Sequence, residues 1–229
     1  MTVHRFFVAP DEAHGDHFAL PAAIERQVRT VLRLRDGARI VLLTGDGNEA
    51  VCRLDAGMCV LEERRASVGE PRHRLTIVQA LLKGDALDEV VQHGTEVGVA
   101  EFRLVVTERC VARELSVRRL ERLQAIARES AEQSERGIVP VVRGPVALGG
   151  ALSSGSVLLL ERYPVALREL EAPPASLIIG PEGGFTPNEV SAATNSGVQL
   201  AGLGPRILRS QTVAVAASAV ILSRAGDFA

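Results

Sequence analysis

The chain has 229 residues, 46 % hydrophobic and 24 % charged, with a formal net charge of −2 at pH 7. This is the balance of an ordinary globular protein, long enough to bury a core without staples, and its length suits one large domain or two smaller ones. No apolar stretch reaches the roughly 20 residues that span a bilayer, and the longest candidate, Val213 to Leu222, is interrupted by Ser218.

The opening Met1-Thr2-Val3-His4-Arg5 runs into Pro10, Asp11 and Glu12 without the apolar core of a signal peptide, so a cytoplasmic protein with no membrane partner is expected. Cys52, Cys59 and Cys110 are odd in number and form no CxxC pair, which argues against a disulfide framework and a zinc site. The five histidines show no metal-ligand spacing, and the near pair His14 and His17 sits in a polar stretch, so no metal is expected.

In chain order, the first seventy residues read as β-rich. Within them Arg26, Arg29, Arg33, Arg35 and Arg39 face a single acid, Asp36, a patch suited to phosphate contacts or to a solvated basic face. Arg39 to Leu43 is a short apolar strand, Thr44 to Asn48 a turn cluster with a hairpin signal, and Ala50 to Leu54 and Met58 to Glu62 are strands around Asp55-Ala56-Gly57. Gly69-Glu70-Pro71 then marks a boundary between residues 1–71 and 72–229.

Beyond it strands alternate with helices. Leu75 to Leu81 is a strand, and Asp85 stands at the cap position of a helix with Leu87, Val90, Val91 and Val97 on its apolar face. Phe102 to Thr107 is the next strand, and Ser116 caps a helix that runs towards Gly137. Val157 to Leu160 and Leu177 to Ile179 are further strands, and a final helix covers Val213 to Ser223. Uninterrupted apolar strands imply a sheet buried on both faces, so an α/β domain with a mainly parallel sheet. The last helix is apolar around nearly its whole circumference and must be buried on several sides, with Ala214, Ala217 and Ser218 leaving a surface flat enough for close approach of a second helix.

Two segments carry chemistry. In Leu177 to Glu189 a buried strand enters the loop Gly180-Pro181-Glu182-Gly183-Gly184; Thr186 then stands as N-cap, Pro187 at the first helical position and Glu189 closes a capping box. Such a loop presents backbone N–H groups at the carboxyl edge of a sheet, where α/β proteins bind ligands, and Gly183 and Gly184 are free to take positive φ. In Leu203 to Thr212, a Gly-Pro loop presents Arg206 and Arg209 before a helix. Gly202 and Gly204 imitate the start of GxGxxG, but Ile207 stands where its last glycine belongs, and no P-loop pattern occurs.

These segments, in this order, resemble the SPOUT methyltransferases and, more narrowly, the RsmE family. The likeness extends to Arg5-Phe6-Phe7-Val8, Val31-Leu32-Arg33 with Gly37, Lys83-Gly84-Asp85, Gly94 to Val99, Thr107-Glu108-Arg109-Cys110, and Glu132-Gln133-Ser134 with Arg136 and Pro140. The resemblance implies a PUA-like β-barrel that binds RNA over 1–71, and over 72–229 a SPOUT domain with a deep trefoil knot. It implies a homodimer that uses S-adenosyl-L-methionine to methylate N3 of a uridine in 16S ribosomal RNA of the 30S subunit. Carried over, the cofactor-binding residues are Leu159, Leu160 and Glu161; Ile179, Gly180, Pro181, Glu182, Gly183 and Gly184; and Leu203, Gly204, Pro205, Ile207 and Leu208. Arg206 and Arg209 are the candidate catalytic residues, and Arg5, Arg29, Arg33 and Arg35 the candidate RNA contacts. Gln27 stands where relatives usually carry His and Gln211 where they usually carry Glu; a glutamine cannot take up a proton as a general base would. Two other classes are open to this sequence: an RNA-binding module without catalysis, carried by the barrel and basic stretch, and a nucleotide-binding oxidoreductase using the Gly202/Gly204 loop.

Overall fold

The computed structural model describes residues 3–228. Met1, Thr2 and Ala229, at the ends of the two expected domains, lie outside the described residues, as does the start of the segment read for a leader. The chain forms two compact units: residues up to Glu70 together with Ala131–Val139, and Pro71–Ser130 together with the residues from Pro140 onward. The sequence break at Pro71 gives no sign that a second segment joins the first unit.

The first unit is built on β1 (His4–Phe7), β2 (His17–Phe18), helix α1 (Ala22–Arg26), β3 (Arg39–Leu43), β4 (Asn48–Asp55) and β5 (Met58–Ala66). Among the described residues its sheet runs β1-β3-β4-β5-β2, with β1 parallel to β3 and the other pairs antiparallel. Asp55 pairs with Met58, so Ala56 and Gly57 form a two-residue hairpin loop, both at positive φ. That mirror-image turn matches the twist of its strands. Alternation along the strands creates two apolar faces. Phe6, Ile40, Leu42, Ala50, Cys52 and Leu54 meet Phe18, Val28 and Cys59 on one; Phe7, Val41 and Leu43 meet Ala131 and Val139 on the other. α1 continues as a π-helical turn over Gln27–Val31, helical structure that the β-rich reading of this stretch lacks.

The second unit holds β6 (Thr76–Ala80), α2 (Ala86–Glu96), β7 (Glu101–Val106), α3 (Val117–Gln133, its last turn counted with the first unit), β8 (Val141–Ala147), β9 (Ser156–Leu159), β10 (Ser176–Ile179), α4 (Pro187–Asn195), β11 (Gln199–Ala201) and α5 (Ser210–Arg224). The sheet order is β11-β9-β10-β6-β7-β8, and every pair is parallel. β9 and β10 are buried at every position, as their apolar runs require for a sheet covered on both faces. β8 was not anticipated. Gly144-Pro145 interrupts it and several of its positions are exposed, features of an edge strand.

Ser116 caps α3 through its Oγ, 3.2 Å from the Arg119 N–H, whereas Asp85 occupies the N-cap position of α2 without a side-chain bond to it. The expectation for the last helix needs one correction. Ala214, Ala217 and Ser218 are fully buried within the chain's own fold, where α5 packs against α2 and β10. The positions left partly exposed include Val213, Ala216 and Val220, spaced i, i+3, i+7 along one face.

Candidate functional site

β11, β9 and β10 are neighbours in the sheet although residues from about 160 to 198 separate parts of them in the chain. Their carboxyl ends therefore deliver three separate loops to one edge. Between these loops lies a cavity of about 520 Å³, within the size range of small-molecule sites.

Its lining takes Leu159, Leu160 and Glu161 from the end of β9, Ile179, Gly180, Pro181, Glu182 and Gly184 from the end of β10, and Leu203, Gly204, Ile207 and Leu208 after β11. Arg206 and Arg209 also line it, both exposed and with no carboxylate partner among the described residues. Gly183 and Pro205 do not line it. The structure adds residues the sequence did not single out for this role: Lys83, Ala86, Arg162, Phe185, Ser210, Gln211 and Val213. The Lys83-Gly84-Asp85 block was one available signal for this end of β6.

The loops are held open by specific local chemistry. Gly184 and Gly204 have φ of 66° and 97°, a region that L side chains with a Cβ adopt rarely. Gly183 does not share this property; a Cβ there would lie 3.2 Å from that of Arg109, whose Nη1 donates to the Gly183 carbonyl at 2.9 Å. Close packing, not positive φ, keeps that position bare. Thr186 caps α4: its Oγ1 accepts from the Glu189 N–H at 3.3 Å, and Glu189 Oε2 accepts from the Thr186 N–H at 2.8 Å. The other oxygen of Glu189 accepts from the Glu108 N–H at 2.7 Å, so one carboxylate ties the start of α4 to the end of β7. Lys83 N–H donates to Glu182 Oε1 at 3.2 Å.

The lining is thus apolar on its walls (Leu159, Leu160, Ile179, Leu203, Leu208), with the acids Glu161 and Glu182 and the cations Lys83, Arg162, Arg206 and Arg209 around them. Ile207 is 60 % exposed, an apolar side chain left open to solvent at a cavity wall. Among the described residues no group of three or more His, Cys, Asp or Glu is placed to share a metal ion, and no helix is long and apolar enough to cross a membrane.

The candidate RNA contacts fall into two kinds. The Arg5 side chain is 11 % exposed and is held by Glu49 at 2.7 Å and Glu135 at 2.8 Å. Arg29 donates to Asp36 at 2.7 Å and to the Leu34 carbonyl at 3.2 Å, and its hydrogen bond holds the Asp36 carboxyl below the usual range. Arg39 pairs with Glu62 at 2.7 Å. Arg33 and Arg35 are exposed, with no ion-pair partner among the described residues. Gln27 is exposed at the start of the π-helical turn, and Gln211 reaches the cavity.

A family model described as an RNA methyltransferase domain matches residues 69–222. The chain is 32 % identical to Ribosomal RNA small subunit methyltransferase E of Synechocystis, across 95 % of this chain and 77 % of that protein. It is 33 % identical to the protein of that name from Mycobacterium bovis, across 85 % of this chain and 83 % of the relative. The crystal structure of a Ribosomal RNA small subunit methyltransferase E from Neisseria gonorrhoeae bound to S-adenosyl methionine is similar at a TM-score of 0.88 and 29 % identity, covering 97 % of this chain and 98 % of that one. A Legionella pneumophila protein solved in complex with the same cofactor gives 0.84 at 26 % identity, covering 98 % of both chains.

Proposed function

Because this chain belongs to the Ribosomal RNA small subunit methyltransferase E family of RNA methyltransferases, we propose that it transfers a methyl group from S-adenosylmethionine to N3 of a uridine in 16S ribosomal RNA of the small subunit. The observation that carries this reading is the cavity between the loops after β9, β10 and β11. Its apolar walls suit a flat adenine ring, its backbone-rich loops suit hydrogen bonding to base and ribose, and Glu161 and Glu182 oppose the positive charge of the ligand.

When bound, the cofactor supplies an electrophilic methyl on a sulfonium centre and departs neutral. The chain's own residues hold the two reactants in line and stabilise charge on the acceptor. Loss of the N3 proton to solvent spreads negative charge over the flanking uracil carbonyl oxygens. Arg206 and Arg209, unpaired at the cavity, are the groups to meet it. The Gln211 amide can hydrogen-bond there, but it is not the proton acceptor.

The remaining assignments belong to the same reading. The first unit, residues up to Glu70 together with Ala131–Val139, is a PUA-like barrel that holds RNA, with Arg33 and Arg35 on phosphates, Arg29 shared with Asp36, and Arg5 engaged only as its ion pairs open. The second unit is the SPOUT domain, and the order β11-β9-β10-β6, out of step with the chain, supports a trefoil knot at the cavity loops. The partly exposed Val213, Ala216 and Val220 support a homodimer joined through α5. The protein works in the cytoplasm, where small subunits are assembled. The test is transfer of labelled methyl from S-adenosylmethionine to purified small subunits lacking the mark, followed by mapping of the labelled nucleotide. Label on N3 of one 16S uridine is expected; no label in ribosomal RNA overturns the reading.

A further inference from the structure

Resting on the reading that the cavity holds S-adenosylmethionine, we propose that Gln79 is a positioning residue for that cofactor, fixing two of the cavity loops through Ser210 without itself lining the cavity.

Gln79 is a fully buried amide in a strand whose neighbours Ile77, Val78 and Ala80 are apolar. It pairs in register with Ile179, the last residue of β10 before the Gly180 loop. Its Nε2 donates to Ser210 Oγ at 2.9 Å and to the Ala80 carbonyl at 3.1 Å. Ser210 Oγ donates in turn to the Gly180 carbonyl at 2.7 Å. A carbonyl can only accept, so the Ser210 hydroxyl proton is committed to Gly180 and the hydroxyl oxygen must take its own hydrogen bond from the Gln79 amide. The Ala80 carbonyl fixes the amide the same way round, because the rotated amide would set two carbonyl oxygens against each other. The relay therefore has a single polarity. It joins the end of β6, the first residue of the loop after β10, and the first residue of α5 directly behind Arg206–Arg209. Gly180 and Ser210 both line the cavity; Gln79 does not.

The second observation concerns stability. Gln79 Oε1 is buried with no hydrogen-bond partner among the described residues. An unpartnered buried oxygen destabilises a fold, and an apolar side chain of similar shape removes that penalty, but it also takes the donor away from Ser210 Oγ and the Ala80 carbonyl. For fold stability an apolar residue here combines one gain, at Oε1, with the loss of the bonds from Nε2, while the loops lose their donor outright. That difference makes fold stability and cofactor affinity measurable apart.

The test uses the purified full chain, with calorimetric titration of S-adenosylmethionine, steady-state methyl transfer and thermal unfolding. Gln79→Met removes the donor at similar volume, Ser210→Ala breaks the relay at its centre, and Ser210→Thr restores a hydroxyl. Gln79→Met and Ser210→Ala are each expected to raise the cofactor Kd about tenfold, the scale of one hydrogen bond. KM for the cofactor should rise more than kcat falls, and Ser210→Thr should recover most of the lost affinity. The Tm of Gln79→Met should stay close to that of the wild type, the gain at Oε1 offsetting the bonds lost at Nε2. Unchanged Kd in both disrupted variants, or a Gln79→Met Tm that falls together with affinity, overturns the proposal while leaving the cofactor reading intact. Failure of the wild-type chain to bind the cofactor overturns that reading and the proposal with it.

Discussion

The basic residues of the first unit and those at the cavity of the second are held differently. In the first, several arginines that look available in the sequence are neutralised within the unit, Arg5 by Glu49 and Glu135, Arg29 by Asp36, Arg39 by Glu62, and the buried Arg136 by Glu70 at 2.9 Å, while Arg33 and Arg35 stay exposed. At the cavity of the second, Arg206 and Arg209 stand without carboxylate partners among the described residues, beside glycine loops and strand ends that set its shape. Where charge builds the fold, a basic stretch overstates the charge a partner can reach. Where the backbone builds the site, exposed arginines are free to act on a ligand.

Substitutions in the two units should then fail differently. The largest effect on the site is expected from Gly204→Val, which forces a β-branched residue to φ near 97°. Strain of this kind and blocked approach should weaken cofactor binding about a hundredfold, as titration calorimetry will show. Gly183→Val should lose less, because its backbone needs no unusual φ and only the contact with Arg109 must yield. Equal losses at the two positions would mean that close packing, not backbone conformation, governs the loops.

In the first unit the largest effect should be on stability. The Glu49 side chain is 2 % exposed and accepts from Arg5 at 2.7 Å and from Arg65 at 2.6 Å. Glu49→Ala leaves the Arg5 guanidinium short of a partner in a largely buried place and should lower unfolding free energy by about 3 kcal/mol. Denaturant unfolding measures this, and cofactor affinity should hardly move. A matching drop in affinity would break the contrast between the units.

Smaller effects sharpen it. Replacing Arg33 and Arg35 by alanine should leave Tm unchanged and weaken RNA binding. The slope of log affinity against log salt should flatten by about 1 to 2 for two lost phosphate contacts. An unaltered slope identifies the pair as a solvated face. The smallest concerns Asp46, whose carboxyl is lowered from 3.8 to about 2 by hydrogen bonds from Thr44 and Asn48. Because its folded value is depressed, its contribution is present above 3.8 and fades as pH falls towards about 2. Asp46→Asn should flatten that part of the stability profile.

The parallel sheet of the second unit was legible because Val157 to Leu160 and Leu177 to Ile179 are too apolar to face water on either side. The Thr186-Pro187-Glu189 start of α4 was legible because capping is local, involving bonds between residues three apart. What escaped depends on distance along the chain. No periodicity shows that Glu108 shares Glu189 across 81 positions, or that Lys83 and Phe185 reach the same cavity. β8 escaped because Gly144-Pro145 erases its pattern. The helical turn before Val31 escaped because Val28 is its only buried residue among Gln27–Val31, too little apolar content for a helical stripe.

The return of Ala131–Val139 to the first unit has a consequence for synthesis. When the ribosome has made only the first seventy residues, Phe7, Val41 and Leu43 lack Ala131 and Val139, and the Phe7 N–H lacks the Glu132 carboxylate that accepts it at 3.0 Å. Arg5 and Glu70 likewise wait for Glu135 and Arg136. The amino-terminal part of this protein therefore leaves the exit tunnel well before it can finish folding. Its last contacts come from a segment made only after the strands β6 and β7 of the second unit, so part of the second unit is synthesised before the first can be completed.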